Sequence, residues 1–327
     1  QQKKYTLMDV VTATLKAQIH LSEKSYAEAR RCLNEAERKL DDNSSLYHLL
    51  ICKWRSLVTL FENPGLKELE PLKKLRAEAG RLKNWETVRD CDFYLGFFGG
   101  EKKILYQVFY GTPYPLYVSQ KLHLVGWSYE DLPSEIYWIP GKGVSKSLPK
   151  RFLDLSQAKD AFGAQLKMGK LLHRLLTALT QDFYRPMRTG TLFTSLYPNE
   201  EISSESSILR VENAIYRLRS WFKVHKIPLQ ILYSKDGCQL ISTRAYAVKI
   251  NRPHDTVIDL DSRIQKLQLK FGEEDFKLEE AMKVLSMSKP SASRLLRQAR
   301  ETGALSKISV GRQKIYRFTH SNLRSSR

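Results

Sequence analysis

The stretch SKPSASRLLRQARETG, residues 288–303, decides the fold expected at the end of the chain. Ser288 is a favourable N-cap residue, Pro290 suits the first helical turn, and Gly303 is a typical stop signal. Apolar residues recur at helical spacing on one face, and the opposite face is polar and basic. The apolar face comprises Ala292, Leu295, Leu296 and Ala299, and the polar face Ser291, Ser293, Arg294, Arg297 and Gln298. Two interpretations are open: an ordinary solvated amphipathic helix, or a helix built to enter a DNA groove.

The charge of the chain is strongly positive and unevenly distributed. The 327 residues include 54 Lys and Arg against 35 Asp and Glu, a net charge of +19. Residues 1–100 hold 17 basic and 14 acidic side chains, whereas residues 286–327 hold ten basic ones and a single acidic one, Glu301. Such a balance favours a polyanionic partner, with nucleic acid ahead of an anionic membrane.

Composition bounds the class of protein. The length predicts two or three domains, and 42% hydrophobic residues predict globular cores. No apolar run approaches the roughly 18 residues of a membrane span, and no signal peptide is evident. The cysteines are far apart, which predicts reduced thiols and a cytoplasmic protein, and the lack of a long apolar run predicts no membrane association. The chain begins with Gln1, so we expect it to be part of a longer protein. The cysteines are Cys32, Cys52, Cys91 and Cys238.

Residues 1–110 show helical periodicity interrupted by short polar breaks. The predicted helices cover residues 7–21, 24–40, 46–61, 69–82 and 85–98, and we expect them to pack as antiparallel pairs. The segment SYAEARRCLNEAE (25–37) resembles the helix of a tetratricopeptide repeat in its packing residues Tyr26, Ala29, Leu33 and Ala36. The resemblance implies a TPR-like domain that presents a groove to a protein partner. A plain helical bundle is the alternative.

After residue 110 the composition of the chain changes, and the order of predicted elements is then repeated. Residues 111–150 are rich in Pro, Gly and aromatic residues, which predicts short strands and turns. Helices are predicted at 166–183 and 206–225, a short helix or strand at 190–198, and a hairpin around KDG (235–237). The same order follows in 257–320: two helices, the basic helix of 288–303, and a hairpin formed by LSKISV and QKIYRF.

This order is that of a winged helix-turn-helix, and the first copy carries a family resemblance. VENAIYRLRSWF (211–222) resembles the recognition helix of the OmpR/PhoB-type winged helix through Val211, Ile215, Leu218 and Arg219. YWIPGKGVSKSLPKRFLDLS (137–156) is similar to the small N-terminal sheet of that family. Asn213 departs from the pattern, and YSKDGCQLIS (233–242) lacks the usual arginine-glycine-tyrosine wing. No receiver domain is visible, so two-component signalling is not implied.

The second copy resembles the winged helices of MarR-like bacterial regulators. LEEAMKVLSMSKPSASRLLRQARETGAL (278–305) matches their order of helix, short turn, basic helix and glycine-containing bend. GRQKIYRFT (311–319) is similar to their wing. The resemblance implies that the basic helix lies in the major groove and the hairpin against the DNA backbone or the minor groove. It favours the groove-binding interpretation of residues 288–303.

Roles follow for individual residues. In the second copy, Lys289, Ser291 and Ser293 are placed for base or phosphate contacts, Arg294 and Gln298 for base edges, and Arg297, Arg312 and Lys314 for phosphates. In the first copy, the base-facing candidates are Arg210, Asn213 and Arg217, flanked by Tyr216, and Arg219 and Lys223 suit the backbone.

The sequence therefore predicts a mainly α fold with small β-hairpins and sheets (α+β). Its expected domains are a helical TPR-like domain (1–110), an OmpR/PhoB-like winged helix (111–250) and a C-terminal winged helix (251–327). The expected function is sequence-specific duplex DNA binding as a transcriptional regulator. We expect no enzymatic activity, metal or cofactor, because the histidines are scattered and no catalytic motif stands out. Replication-initiator-like DNA binding, a winged-helix protein scaffold and RNA binding remain alternatives.

Overall fold

The computed structural model describes residues 2–40, 45–145, 148–198, 200–252, 264, 267–268, 270–272, 274–285, 287–301, 304–310 and 313–318. The chain forms two compact units, Gln1–Arg252 and Pro253–Arg327. Each unit is described separately below.

The first unit begins with five helices, and consecutive helices pack on one another. They are α1 (Gln2–Ser22), α2 (Tyr26–Arg38), α3 (Ser45–Glu62), α4 (Glu70–Arg81) and α5 (Trp85–Gly99). All five were predicted from the sequence, with bounds close to these. Ala29, Leu33 and Ala36, on which the resemblance to a tetratricopeptide repeat rests, are buried in a core formed with α1 and α3. Asn84 caps α5, since its Oδ1 accepts a hydrogen bond from the Thr87 N–H at 3.2 Å.

Two further helices follow, α6 (Lys102–Tyr110) and α7 (Pro115–Val125). The prediction of strands and turns throughout 111–150 was therefore wrong for residues 115–125. Pro115 occupies the start of α7, where its missing N–H costs nothing, and Gly126 ends the helix with a φ of +75°. Val118 and Leu122, four residues apart, are buried against the main core, so tertiary packing decides the structure here.

A five-stranded sheet lies beyond α7. It contains β1 (Glu135–Ile139), β2 (Gly143–Ser145), β3 (Phe152–Asp154), β4 (Lys159–Asp160) and β7 (Ala247–Asn251), in the order β2-β1-β7-β3-β4. The strand β7 returns from far along the chain to the centre of the sheet. Val248 of β7 is opposite Trp138 in the antiparallel pair with β1 and opposite Leu153 in the parallel pair with β3.

Three helices and a hairpin are inserted between β4 and β7. The helices are α8 (Leu171–Leu179), α9 (Thr189–Leu196) and α10 (Ser204–Val224), and the hairpin pairs β5 (Leu229–Ser234) with β6 (Gly237–Ser242). The predicted order of two helices, a long helix and a hairpin is confirmed. The helix predicted at 166–183 is shorter than expected, and the segment 190–198 is largely helical rather than extended.

The second unit has the same order on a smaller scale. Its described residues between 264 and 271 are helical, and β8 (Phe276–Lys277), α11 (Leu278–Leu285), α12 (Lys289–Glu301), β9 (Leu305–Val310) and β10 (Gln313–Phe318) follow. The sheet order is β8-β10-β9, with Tyr316 opposite Phe276 and Ile315 opposite Ile308. Of the two helices predicted before the basic helix, the second is α11, which begins at Leu278 directly after the short strand β8.

The expected fold class, mainly α with small sheets and hairpins, is confirmed. The division expected at residue 110, however, falls inside the first unit. Trp138 of β1 stacks on Phe183 with 4.1 Å between ring centroids, and the Phe183 N–H donates to the Gly111 carbonyl at 3.1 Å. One hydrophobic core therefore extends from Leu49 in α3 to Val248 in β7.

Candidate nucleic-acid interface

Helix α10 has a buried back and an exposed front, as its periodicity predicted. Val211, Ile215, Leu218 and Phe222 are buried in the core of the first unit. The predicted contact residues Asn213, Tyr216, Arg217 and Lys223 are exposed. Tyr216 leaves 72% of its surface in solvent, so its ring is available to a partner. Among the described residues, Arg217 has no hydrogen-bond or ion-pair partner.

The front of α10 also carries apolar side chains that were not among the predicted site residues. Leu209 and Val224 expose 58% and 71% of their surface. They lie four and eleven residues from Asn213, which places both near its face of the helix. Among the described residues, the exposed front therefore combines the unpaired cations Arg217 and Lys223 with large apolar groups.

Arg210 is held by neighbouring side chains. Its guanidinium forms a bidentate ion pair with Glu200, in which Nη2 donates to Oε1 at 3.1 Å. It also lies 3.8 Å from the centroid of the Tyr197 ring. The hydrogen bonds to Glu200 raise the pKa of Arg210 and lower the pKa of Glu200. The predicted base-facing residue is thus paired with a carboxylate, a partner ten residues away that helical periodicity does not reveal.

Arg219 is joined to the hairpin. Its Nε and Nη2 both donate to the Ile231 carbonyl of β5, at 3.2 and 2.5 Å. The residue predicted to contact the DNA backbone is therefore used in part to fix α10 against the hairpin.

The turn of that hairpin follows from the KDG sequence, because Gly237 has a φ of +129° and lies against the Met187 backbone. An added Cβ would come within 2.4 Å of the Met187 carbonyl oxygen.

Helix α12 also has the two faces that its sequence predicted. Ala292, Leu295, Leu296 and Ala299 are buried in the core of the second unit. Lys289, Ser291, Ser293, Arg294 and Arg297 are exposed. The helix begins at Lys289, directly after Ser288, whose hydroxyl donates to the Ser291 hydroxyl at 3.1 Å. The side chain of Gln298 lies outside the described residues.

Arg294 is the exposed residue of α12 that is most readily available to a partner. Among the described residues it has no carboxylate partner and no hydrogen bond. In the hairpin β9–β10, Arg317 is instead paired with Asp275, with Nε donating to Oδ1 at 2.7 Å. Arg312 lies outside the described residues, and so does the side chain of Lys314. In the described part of this hairpin, Arg317 is therefore neutralised, whereas Lys307 of β9 is exposed.

The parts of the chain that the structure describes contain few features that indicate metal binding or another chemical activity. There, no group of three or more His, Cys, Asp or Glu side chains is arranged to hold a metal ion. His173 has a structural role, since Nδ1 accepts from the Gly169 N–H at 3.1 Å and Nε2 lies 3.0 Å from the Leu155 carbonyl. All four cysteines are free thiols. None of the described helices is both long and apolar enough to span a bilayer.

Neither the family models nor the curated proteins compared with this chain gave a match.

Proposed function

We propose that the chain is a transcriptional regulator that binds duplex DNA sequence-specifically, with α10 and α12 in the major groove. The proposal is supported by one observation above all. Arg294 and its neighbours on α12 are exposed on a helix whose opposite face is buried, and the helix is followed by an antiparallel hairpin. A helix of this kind fits the width of the major groove, roughly 12 Å. In the proposed arrangement, α10 belongs to a winged helix of the OmpR/PhoB type, and α12 belongs to a MarR-like winged helix that follows it along the chain.

The charge distribution supports nucleic acid as the partner. Arg217 and Arg294 are both exposed and unpaired among the described residues. An exposed unpaired guanidinium can bind a phosphate or the O6 and N7 atoms of guanine in bidentate fashion. Two such modules on one chain bind a longer site than either alone, because the second contact becomes intramolecular.

A selection from a random duplex library tests the proposal. We expect the full chain to enrich a defined sequence and to bind it with an affinity that falls steeply as salt rises. Structured RNA should compete poorly. Enrichment of no sequence, or stronger binding to structured RNA than to the selected duplex, would contradict the proposal.

The exposed apolar groups on α10 favour a second candidate function for the first unit alone. Leu209, Tyr216 and Val224 are each more than half exposed, and large exposed apolar groups often mark protein interfaces. In that case α10 binds a protein, and α12 alone binds DNA. Substituting Arg217 would then leave DNA affinity unchanged, whereas Leu209→Ser would weaken the protein complex.

We also infer a protein partner for the helical region at the start of the chain, through α1. Met8, Leu15 and Ile19 expose 63%, 53% and 57% of their surface and lie on one face at intervals of seven and four residues. Exposed Thr12 completes this stripe. A helix with a second apolar stripe, outside its own core, is suited to pack against another helix.

The charges beside the stripe favour a second copy of this chain as that partner. Asp9 and Lys16 are exposed and seven residues apart, so they flank the stripe on the same side, and the Asp9 carboxylate also lies 3.6 Å from Lys39 Nζ of its own chain. In an antiparallel pairing centred between Thr12 and Leu15, Met8 of one copy meets Ile19 of the other, and Asp9 faces Lys16. A two-fold dimer would present its DNA-binding helices to two half-sites.

A further inference from the structure

A cleft of about 1060 Å³ lies within the first unit, apart from the exposed front of α10. One wall is the turn that joins α4 to α5, with Lys83 and Trp85. The other wall combines the start of α9 with the tip of the hairpin β5–β6. Its volume is slightly above the roughly 300 to 1000 Å³ that is usual for a small-molecule site.

The cleft contains cations without counter-charges. Its two carboxylates are both paired, because Glu86 shares the Arg89 guanidinium with buried Asp182 and Asp236 is paired with Lys83. Arg185, Arg188 and Lys235 also line the cleft. Among the described residues, none of these three side chains has a hydrogen-bond or ion-pair partner. Three cations without a partner of their own therefore line one concave site, against the single carboxylate of Glu86, which shares its counter-charge with Asp182.

The surrounding groups define the chemistry of an occupant. An arginine guanidinium binds phosphate through two parallel hydrogen bonds, and two of the three free cations are arginines. The helix α9 begins at Thr189, next to Arg188, so its first N–H groups are additional donors for an anion. Trp85 and Tyr233, which leaves 49% of its surface exposed, provide aromatic surface in the same cleft.

We propose that this cleft binds a small phosphorylated ligand of nucleotide size. Arg185, Arg188 and Lys235 hold the phosphates, and Trp85 and Tyr233 contact the remainder of the ligand. The paired side chains Lys83 and Asp236 close one side of the cleft, joining the α4–α5 turn to the hairpin tip. That closure favours a small ligand over the backbone of a duplex. The site is separate from the proposed DNA-binding helices and does not depend on them.

Titration calorimetry of the full chain tests the site with three probes: ATP, inorganic pyrophosphate and adenosine. We expect ATP and pyrophosphate to bind and adenosine, which has no phosphate, not to bind detectably. Arg185→Gln with Arg188→Gln should weaken ATP binding at least about tenfold, as should Lys235→Gln. The matched control is Lys142→Gln with Arg244→Gln, which removes two exposed charges outside the cleft and should leave ATP binding unchanged.

Further measurements make the outcome decisive. Thermal unfolding without ligand should be the same for the variants and the wild type, because the substituted side chains have no partner to lose. Absence of ATP and pyrophosphate binding at millimolar concentration would overturn the proposal, and so would equal binding by the cleft variants and the control. Duplex DNA is the other source of phosphate. If the cleft variants weaken only duplex binding, the small-ligand assignment is wrong.

Discussion

The guanidinium of Arg219 donates two hydrogen bonds to the backbone carbonyl of Ile231, from Nε at 3.2 Å and from Nη2 at 2.5 Å. Arg219 lies on α10 and Ile231 on the first strand of the hairpin that follows it. The contact fixes the hairpin relative to the helix. In a winged helix that binds DNA, the orientation of the hairpin relative to the recognition helix determines whether both can contact the duplex at the same time.

Arg219 and Arg217 should therefore behave differently when substituted, although they lie on the same helix. Arg217→Gln removes an unpaired exposed cation, so we expect weaker duplex binding and a decrease of about 1 in the slope of log K against log salt. Arg219→Gln should change that slope less, because two of its N–H groups are held by the Ile231 carbonyl. Fluorescence anisotropy over a range of salt concentrations measures both. Equal slopes for the two variants would contradict the distinction.

Releasing Arg210 should strengthen DNA binding. Glu200→Gln removes the carboxylate that holds this guanidinium, so a cation beside the front of α10 becomes available to phosphate. We expect higher duplex affinity and a salt slope steeper by about 1. Glu201→Gln, at the adjacent exposed carboxylate, is the matched control, since it removes the same charge without freeing Arg210. If both variants gain affinity equally, only the general charge matters.

The stripe on α1 makes a prediction about oligomeric state. Leu15→Lys places a charge at the centre of the proposed two-fold contact, so we expect a dimer to become a monomer in sedimentation equilibrium. Leu66→Lys is the control, because Leu66 exposes 76% of its surface away from α1. A wild-type chain that stays monomeric at high micromolar concentration, or a dimer unaffected by Leu15→Lys, would exclude this interface.

Asp90 should be essential for the stability of the first unit at neutral pH. It accepts from Lys53 Nζ at 2.6 Å and the Tyr117 hydroxyl at 2.8 Å, and Lys121 Nζ lies at 3.9 Å. Asp90→Asn leaves two largely buried ammonium groups without a counter-charge, so we expect about 3 kcal/mol less stability in urea unfolding. Glu130→Gln, at an exposed carboxylate, should have little effect.

The same residue gives a pH dependence with a defined sign. Burial alone would raise the pKa of Asp90, but the charges of Lys53 and Lys121 and the hydrogen bonds hold this pKa below its usual range. Its contribution to stability is therefore present above the pKa of an unfolded aspartate and is lost as the pH falls through the lower folded value. The stability difference between wild type and Asp90→Asn should shrink on acidification. A difference that stays constant down to strongly acidic pH would contradict this.

The sequence predicted most elements because local signals and tertiary packing agree in them. Leu295, Leu296 and Ala299 recur at helical spacing and are buried on one face of α12. In the KDG turn, the positive φ of Gly237 is a conformation that glycine adopts readily. The helix over residues 115–125 escaped prediction because its Pro and aromatic residues resemble those of loops, while buried Val118 and Leu122 stabilise it.

The candidate site was predictable only in part. Exposure of Arg217 and Arg294 follows from helical periodicity, since the apolar residues fix which face is buried. Periodicity contains no information about contacts between distant segments. The pairing of Arg210 with Glu200, the hydrogen bonds from Arg219 to Ile231 and the central position of β7 in its sheet all depend on tertiary structure.

The most direct test of the central claim is duplex binding by Arg294→Ala with Arg297→Ala, measured by anisotropy from low to physiological salt. The control is Lys270→Ala with Lys277→Ala, which removes the same charge from exposed positions of the second unit outside α12. If α12 enters the major groove, the α12 variant binds more weakly and with a flatter salt slope, while the control stays close to wild type. Unchanged affinity and slope in the α12 variant would contradict the assignment of α12 as a DNA-binding helix.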